Sequence, residues 1–240
     1  MSSIYYIMNQ NNFNKIPGSP IAYWANEKMQ ATFQEKPISK YIECKSGIMA
    51  GDEKFIELWH EPSIDSIKFD CLHHTQMGTY RWFPLNSGGG FRKWYGNNSK
   101  VIDLADDARN IRTKSKNYRL REKDYYFQEG ITWGRITTAK LSFRVVPKGS
   151  LFGDAGPIGF IEKYKLYALA FLSSKVVDPL IEIKNPTMNF QINDIMALPF
   201  VLDEQKVVKV EDIVEENIDI SKKDWDLDET SWDFKKHPLI

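Results

Sequence analysis

The sequence has only two cysteines in 240 residues, Cys44 and Cys71, and it has no long apolar run. Two cysteines cannot build the disulfide framework of a small secreted protein, which predicts a reducing compartment. The longest apolar run, residues 166–172, is far shorter than the ~20 residues that a membrane-spanning helix needs. No apolar stretch follows a basic start, as a secretory signal would require. We therefore expect a cytoplasmic protein.

The sequence also lacks the common signatures of a catalytic or metal centre. Cys71, His73 and His74 lie close together, but no ligand pairs occur at the spacings of zinc sites. Residues 185–188 read Asn-Pro-Thr-Met, whereas amino-methyltransferases that act on DNA carry Asn/Asp-Pro-Pro-aromatic to hold a flipped base. No glycine-rich turn leads from a strand into a helix to bind an adenosyl cofactor. We predict no catalytic, cofactor-binding or metal-binding residues in this chain.

The formal net charge of zero, from 32 basic and 32 acidic residues, conceals a strong asymmetry along the chain. Residues 92–148 contain 14 Lys or Arg and 6 Asp or Glu, whereas residues 203–233 contain 4 basic and 12 acidic residues. A basic segment is the expected footprint for a polyanionic partner such as DNA. The alternative is that the basic and acidic segments pair with each other.

Residues 82–98 form the most distinctive stretch of the chain, with three consecutive glycines followed by cations among aromatic rings. Glycines 88–90 have no side chain, so they allow another surface to approach the backbone closely. Arg92 and Lys93 lie among Phe91, Trp94 and Tyr95, a composition that suits phosphates and exposed bases. The alternative is a glycine-rich turn whose aromatic rings return to the core.

Hydrophobic periodicity and breaker residues predict an α+β fold: a mixed or antiparallel β-sheet, a helical pair and an acidic C-terminal helical segment. Helices are predicted from Ser19-Pro20 to residue 33, over 162–172, after Ser173 with Pro179 inside the pattern, over 207–217, and again from Ser221. Strands are predicted at 5–8, 42–44, 55–59, 67–69, 80–83, 101–104, 141–145, 151–152 and near 192–198. Residues 147–150 should turn the strand at 141–145 into a partner at 151–152. Residues 105–121 have no clean period and are predicted to form a long basic loop.

Seven stretches together resemble one family of proteins. They are residues 16–24 (IPGSPIAYW), 47–55 (GIMAGDEKF), 82–98 (WFPLNSGGGFRKWYGNN), 124–133 (DYYFQEGITW), 170–175 (AFLSSK), 185–195 (NPTMNFQINDI) and 229–238 (ETSWDFKKHP). They are similar to the target-recognition portion of the PglX-type adenine-specific DNA methyltransferases of BREX phage-defence systems, and to large type II restriction-modification enzymes. Ala50 and Glu53 depart from that family's Gly-x-x-Thr-Gly-x-Asn loop.

The resemblance implies that this chain is part of a longer methyltransferase, here called the parent. Residues 1–200 would form its DNA target-recognition domain, and residues 201–240 an acidic helical segment that continues into a C-terminal region of the parent. The parent would use S-adenosylmethionine to methylate N6 of adenine in double-stranded DNA. Its N-terminal methyltransferase domain, with Asn-Pro-Pro-Tyr, is absent from this sequence. Other defence-system proteins would be partners. This chain alone is predicted to be inactive.

The predicted DNA contacts combine the glycine-rich stretch with the basic residues after it. They are Asn86, Ser87, Gly88, Gly89, Gly90, Arg92, Lys93, Tyr95, Asn110, Lys114, Lys116, Arg119, Arg121 and Arg135. We expect Arg92 and Lys93 to hold phosphates. Base edges would be read by Asn110, Lys114, Lys116, Arg119 and Arg121. The alternatives are a module that docks other defence subunits through its acidic tail, and an intact DNA-acting enzyme with an unrecognised catalytic motif.

Overall fold

The computed structural model describes residues 7, 9–237 and 239. It confirms the mixed α+β fold, with two sheets and several helices that include one at the C-terminal end. The strand predicted at residues 5–8 lies outside the described residues, apart from Ile7.

The first sheet has the strand order β1-β8-β5-β6 and is antiparallel throughout. Its strands are β1 (Glu43–Lys45), β5 (Gly130–Trp133), β6 (Phe143–Val146) and β8 (Ile158–Phe160). Trp133 and Phe143 face each other across β5 and β6 and are buried. They pack with helical residues in one core, so one side of this sheet carries the helices.

The second sheet has the order β2-β4-β3-β7. Its strands are β2 (Ile56–Leu58), β3 (Trp82–Asn86), β4 (Lys100–Asp103) and β7 (Leu151–Phe152). The predicted pairing of 141–145 with 151–152 is wrong, because β7 pairs in parallel with β3 instead. Leu151 packs with Leu85 in the second core, so the turn at 147–150 carries the chain from one sheet to the other. The strand predicted at 67–69 is reduced to one isolated bridge from Ile67 to Trp82.

The first helix begins later than the sequence predicts. The α-helix α1 spans Glu27–Thr32, and the side chain of Asn26 caps it by accepting a hydrogen bond from the Met29 N–H at 2.9 Å. Ser19, the predicted cap, has φ +48°, so the chain turns there and a right-handed helix does not start.

Two further segments predicted without helix are helical. The helix α2 spans Ala105–Lys114, although Asp106, Asp107 and Ala108 have φ between 49° and 60°, so its first turn is left-handed. Ile111 is fully buried in the second core, which explains why this part of the basic segment folds as a helix. The helix α5 spans Ile192–Met196 where a strand was predicted, because Gln191 and Asp194 form a capping box.

The predicted helical pair is confirmed as α3 (Lys165–Ser173) and α4 (Val177–Lys184), with Pro179 in the first turn of α4, where its missing N–H is tolerated. The helix α6 (Val207–Trp225) is continuous, so the separate helix predicted from Ser221 is wrong. Its Val214 is buried in the core that contains α3. Short 3-10 helices lie at Gln10–Lys15, Ile38–Lys40, Glu53–Phe55, Ile64–Ser66, His74–Gln76, Lys123–Tyr125 and Glu204–Lys206.

Candidate nucleic-acid interface

Asn86, at the end of β3, lies between the two sheets and is 1% exposed. Its Nδ2 donates to Thr132 Oγ1 on β5 at 2.7 Å, and its backbone oxygen accepts from the Gly153 N–H at 2.7 Å. Its Oδ1 accepts from Arg144 Nη2 at 3.3 Å. These bonds satisfy a buried amide, so the structure gives Asn86 the role of joining the sheets.

The three glycines after Asn86 differ in their surroundings. Gly88 is buried with φ +79°, and a Cβ there would lie 2.5 Å from the backbone oxygen of Ala155, so only glycine fits. Gly89 has φ +104° and Gly90 is open to solvent. Ser87 is half-buried. The stretch is therefore anchored at Gly88 and accessible at Gly89 and Gly90.

Arg144 on β6 is a buried cation that the sequence did not single out. Its side chain is 1% exposed, and its Nη2 donates to the oxygens of Gly88 and Asn86. Nε and Nη1 have no hydrogen-bond partner within the described residues. Burial, followed by the charge of Arg92, lowers the pKa of Arg144 to about 10. Arg144 thus fixes the glycine-rich turn from beneath.

Arg92, Lys93 and Tyr95 face inward, toward the helices. Arg92 Nη2 lies 2.6 Å from Asp224 Oδ2 on α6, and its guanidinium lies over the Trp225 ring at 4.9 Å. Lys93 Nζ donates to the Ser173 oxygen at the end of α3 at 2.5 Å. Tyr95 is buried, and this burial raises the pKa of its hydroxyl. These three side chains hold the turn against α3 and α6, so their cations are not free for phosphate.

Five segments meet next to the glycine-rich turn, and we call them the loop junction: residues 46–51, 87–90, 115–121, 134–136 and 153–156. Met49 and Arg119 exchange backbone hydrogen bonds of 3.0 and 2.7 Å. A Cβ at Gly47 would lie 2.3 Å from the oxygen of Phe152, and the Arg135 N–H donates to the Ala155 oxygen at 3.0 Å. Such close backbone approach makes the junction one surface.

Asp154 is the acidic centre of the loop junction. Its Oδ2 lies 2.5 Å from Arg135 Nη1, and its Oδ1 accepts from Ser46 Oγ at 2.7 Å. Arg121 Nη2 lies 4.0 Å from Oδ1, while Arg121 Nε donates to the Gly47 oxygen at 2.8 Å. Burial and the neighbouring charge of Arg119 lower the pKa of Arg121. The carboxylate of Asp154 is therefore within ion-pair distance of two half-buried arginines.

The remaining predicted contacts lie on or after α2. Asn110 Nδ2 donates to Asp103 Oδ2, and its Oδ1 accepts from Lys114 Nζ, each at 2.9 Å. Lys116 and Arg119 are exposed, and their side chains make no hydrogen bond or ion pair with the described part of the chain. Asn110 is thus engaged in local structure, whereas Lys116 and Arg119 are available to an outside ligand.

Charge distinguishes the loop junction from the helix α6. Its five segments contain four basic residues and one acidic residue, whereas α6 contains three basic and six acidic residues. A basic surface with exposed Lys and Arg, on which glycines allow close approach to the backbone, suits a phosphate backbone. Four of the 14 basic residues in segment 92–148 thus lie in this face around Asp154.

The described residues offer neither a metal-binding cluster nor a membrane-spanning helix. No three His, Cys, Asp or Glu side chains among residues 7, 9–237 and 239 come together as a group that could hold a metal ion. No helix in that part of the chain is long and apolar enough to cross a membrane.

Comparison with known proteins identifies the relatives of this chain. No family model matches it. It is 39% identical over 236 residues to the adenine-specific methyltransferase BrxX of Escherichia coli O9:H4 (strain HS), an alignment that covers 96% of this chain and 19% of BrxX. The chain is homologous to a region of BrxX. The adenine-specific methyltransferase PglX of Lacticaseibacillus casei (strain Zhang) is 35% identical over 246 residues, covering 98% of this chain and 20% of PglX.

The chain therefore spans about a fifth of the length of the curated relatives that it matches. The resemblance to PglX-type methyltransferases, read from seven short motifs, is confirmed over nearly the whole chain.

Proposed function

We propose that this chain is the DNA target-recognition region of a BREX-type adenine-specific methyltransferase, and that the loop junction is its DNA face. It would bind a short duplex site and present adenine to a catalytic domain elsewhere in the parent. The observation that carries this proposal is that four basic side chains converge on one surface, where glycines allow close backbone packing. Lys116 and Arg119 are exposed there, and Arg121 and Arg135 are half-buried. The relatives' names, adenine-specific methyltransferase, support DNA as the substrate.

Within this proposal, exposure divides the cations by role. Lys116 and Arg119 in the loop junction, and Lys114 directly before it at the end of α2, are exposed. Exposed cations suit phosphates, which position a protein on the duplex without reading its sequence. Arg92 and Lys93 instead hold the glycine-rich turn against α6 and α3. Gly89 and Gly90 leave room for the DNA backbone beside them.

The remaining elements of the proposal concern the parent protein. Residues 1–200 would form the recognition domain, and residues 201–240 would cover it on the side of α3. S-adenosylmethionine would bind to the methyltransferase domain of the parent, since a methyltransferase requires a methyl donor. Other defence proteins would contact the parent in phage defence.

A second candidate function is docking of another protein on α6. Ile213 and Ile220 lie seven residues apart, on the same side of the helix, and are 49% and 59% exposed. They are flanked by acidic residues that would repel DNA. This surface would bind a basic protein partner while the loop junction binds DNA.

The test is a salt titration of duplex affinity by fluorescence anisotropy, with the three cations Lys114, Lys116 and Arg119 changed to Gln. The variant should weaken binding on all duplexes, and the slope of log affinity against log salt should fall by about two to three units. The matched control changes exposed Lys28, Lys36 and Lys209 to Gln, which removes the same charge from other surfaces. Equal losses in the two triple variants would contradict the proposed face.

A further inference from the structure

We propose that Asp154 is a positioning residue that holds Arg121 and Arg135 as the base-reading pair of the DNA face, an inference that rests on the proposed function. The two arginines would bind the major-groove edge of guanine, where an arginine guanidinium can donate to O6 and N7. Neither the family resemblance nor the sequence pattern pointed to Asp154.

The carboxylate of Asp154 is itself fixed in place. Ser46 Oγ donates to its Oδ1 at 2.7 Å, and its own N–H donates to the Ile48 oxygen at 2.9 Å. Its side chain is only 27% exposed, so the neighbouring segment 46–51 determines where its charge lies.

Arg135 is restrained at both its backbone and its side chain. Its N–H donates to the Ala155 oxygen at 3.0 Å, and its oxygen accepts from the Phe190 N–H at 2.7 Å. Nη1 lies 2.5 Å from Asp154 Oδ2, which leaves the other guanidinium donors without a partner in the described chain. A planar guanidinium held at one nitrogen, on a restrained backbone, presents its remaining donors within a limited range of directions.

Arg121 is restrained by a different set of contacts around the same carboxylate. Its Nε donates to the Gly47 oxygen at 2.8 Å, and its Nη2 lies 4.0 Å from Asp154 Oδ1. Nη2 is buried without a hydrogen-bond partner within the described residues. The guanidinium is thus oriented, and Nη1, which is not among the buried unpartnered atoms and makes no hydrogen bond within the described residues, is the donor left for a base.

The negative charge of Asp154 supports a role in sequence specificity and not in overall affinity. A carboxylate on a surface that binds a polyanion weakens binding to every duplex. Its presence between two arginines is explained if it limits their freedom, because ordered side chains lose less entropy when they pair with a base. By contrast, the side chains of Lys116 and Arg119 are exposed and have no hydrogen-bond or ion-pair partner among the residues that the structure describes, as expected for phosphate contacts.

The experiment starts with selection of bound duplexes from a random pool by the wild-type chain, which we expect to enrich one consensus. Anisotropy then gives the affinity ratio between that consensus and a scrambled duplex. Asp154→Asn should lower the ratio by about tenfold or more, the loss of one good bidentate contact. Affinity for scrambled DNA should stay unchanged or rise, because one negative charge is removed.

The control is Asp70→Asn, since Asp70 is also ion-paired, to Lys68 at 2.9 Å, but lies away from the loop junction. It should leave the ratio unchanged. Arg135→Lys retains the charge and loses the fork, so it should lower the ratio with little change in salt slope. If Asp154→Asn fails to fold, the affinity ratio of Arg135→Lys still tests the inference.

The outcomes separate this inference from the proposed function. A wild-type chain that binds no duplex overturns both. Binding without an enriched consensus overturns the base-reading pair while leaving DNA contact intact. A consensus with an unchanged ratio in Asp154→Asn and Arg135→Lys overturns the inference alone, as does an equal loss on consensus and scrambled DNA.

Discussion

Gly88 is a position where a single added methyl group should disrupt the loop junction. Its φ of +79° lies in the left-handed region, which disfavours any residue with a Cβ. A Cβ at this position would lie 2.5 Å from the oxygen of Ala155, a backbone atom in a neighbouring segment. Gly88→Ala therefore forces two backbone segments apart.

The cost follows from these two effects. The left-handed conformation costs roughly 1–2 kcal/mol for a residue with a Cβ. Overpacking against fixed atoms costs a further ~1–3 kcal/mol. The free energy of unfolding should thus fall by about 2–5 kcal/mol, and the melting temperature by about 4–20 °C for a chain of this size.

Gly90→Ala is the matched control, because a Cβ at Gly90 meets no atom within 4 Å and its φ is not in the left-handed region. This change should leave the free energy of unfolding unchanged or raise it by up to about 1 kcal/mol. Urea denaturation followed by tryptophan fluorescence measures both variants. If Gly88→Ala is as stable as Gly90→Ala, the close packing of residues 87–90 on 153–156 is wrong.

Three other predictions concern α6 and the thiols. Val214→Ala removes buried methyl groups and should lower the free energy of unfolding by roughly 2 kcal/mol in urea, whereas half-exposed Ile213→Ala should change it by less than about 0.5 kcal/mol. Asp224→Asn breaks an exposed ion pair with Arg92, so it should lower the same quantity by no more than about 1 kcal/mol. Burial, and after it the charge of Glu43, raises the pKa of the Cys44 thiol to about 12. Because the thiolate is the reactive form, alkylation of Cys44 at pH 8 should be about a thousandfold slower than alkylation of a free thiol, until denaturant is added. Rapid alkylation of the folded chain at Cys44 would contradict its raised pKa, and equal losses in the two α6 alanine variants would contradict the packing of α6 on α3.

The sequence predicted the parts of the fold that depend on local pattern. The helices α3 and α4 have clear periods and a breaker at Asn185-Pro186, and both were found close to their predicted bounds. The partner of Leu151–Phe152 could not be predicted, because pairing with β3 joins residues that are more than 60 positions apart. The helix α2 was missed since only Ala108 and Ile111 on it are buried, too few to give a period.

The candidate site shows the same division between local and distant information. The glycine-rich turn was evident because its residues are consecutive. Arg144 lies 56 residues from Gly88, and Asp154 lies 19 residues from Arg135, so no local spacing links them. The glycines on either side of Asp154, at 153 and 156, were the available signal, since such residues mark close backbone approach.

Hydrogen–deuterium exchange of the chain with and without a saturating duplex tests the central claim most directly. The account predicts that DNA slows exchange in residues 46–51, 87–90, 115–121, 134–136 and 153–156, with α6 unchanged. Protection concentrated on α6, or an unchanged loop junction in a chain that demonstrably binds the duplex, would contradict it.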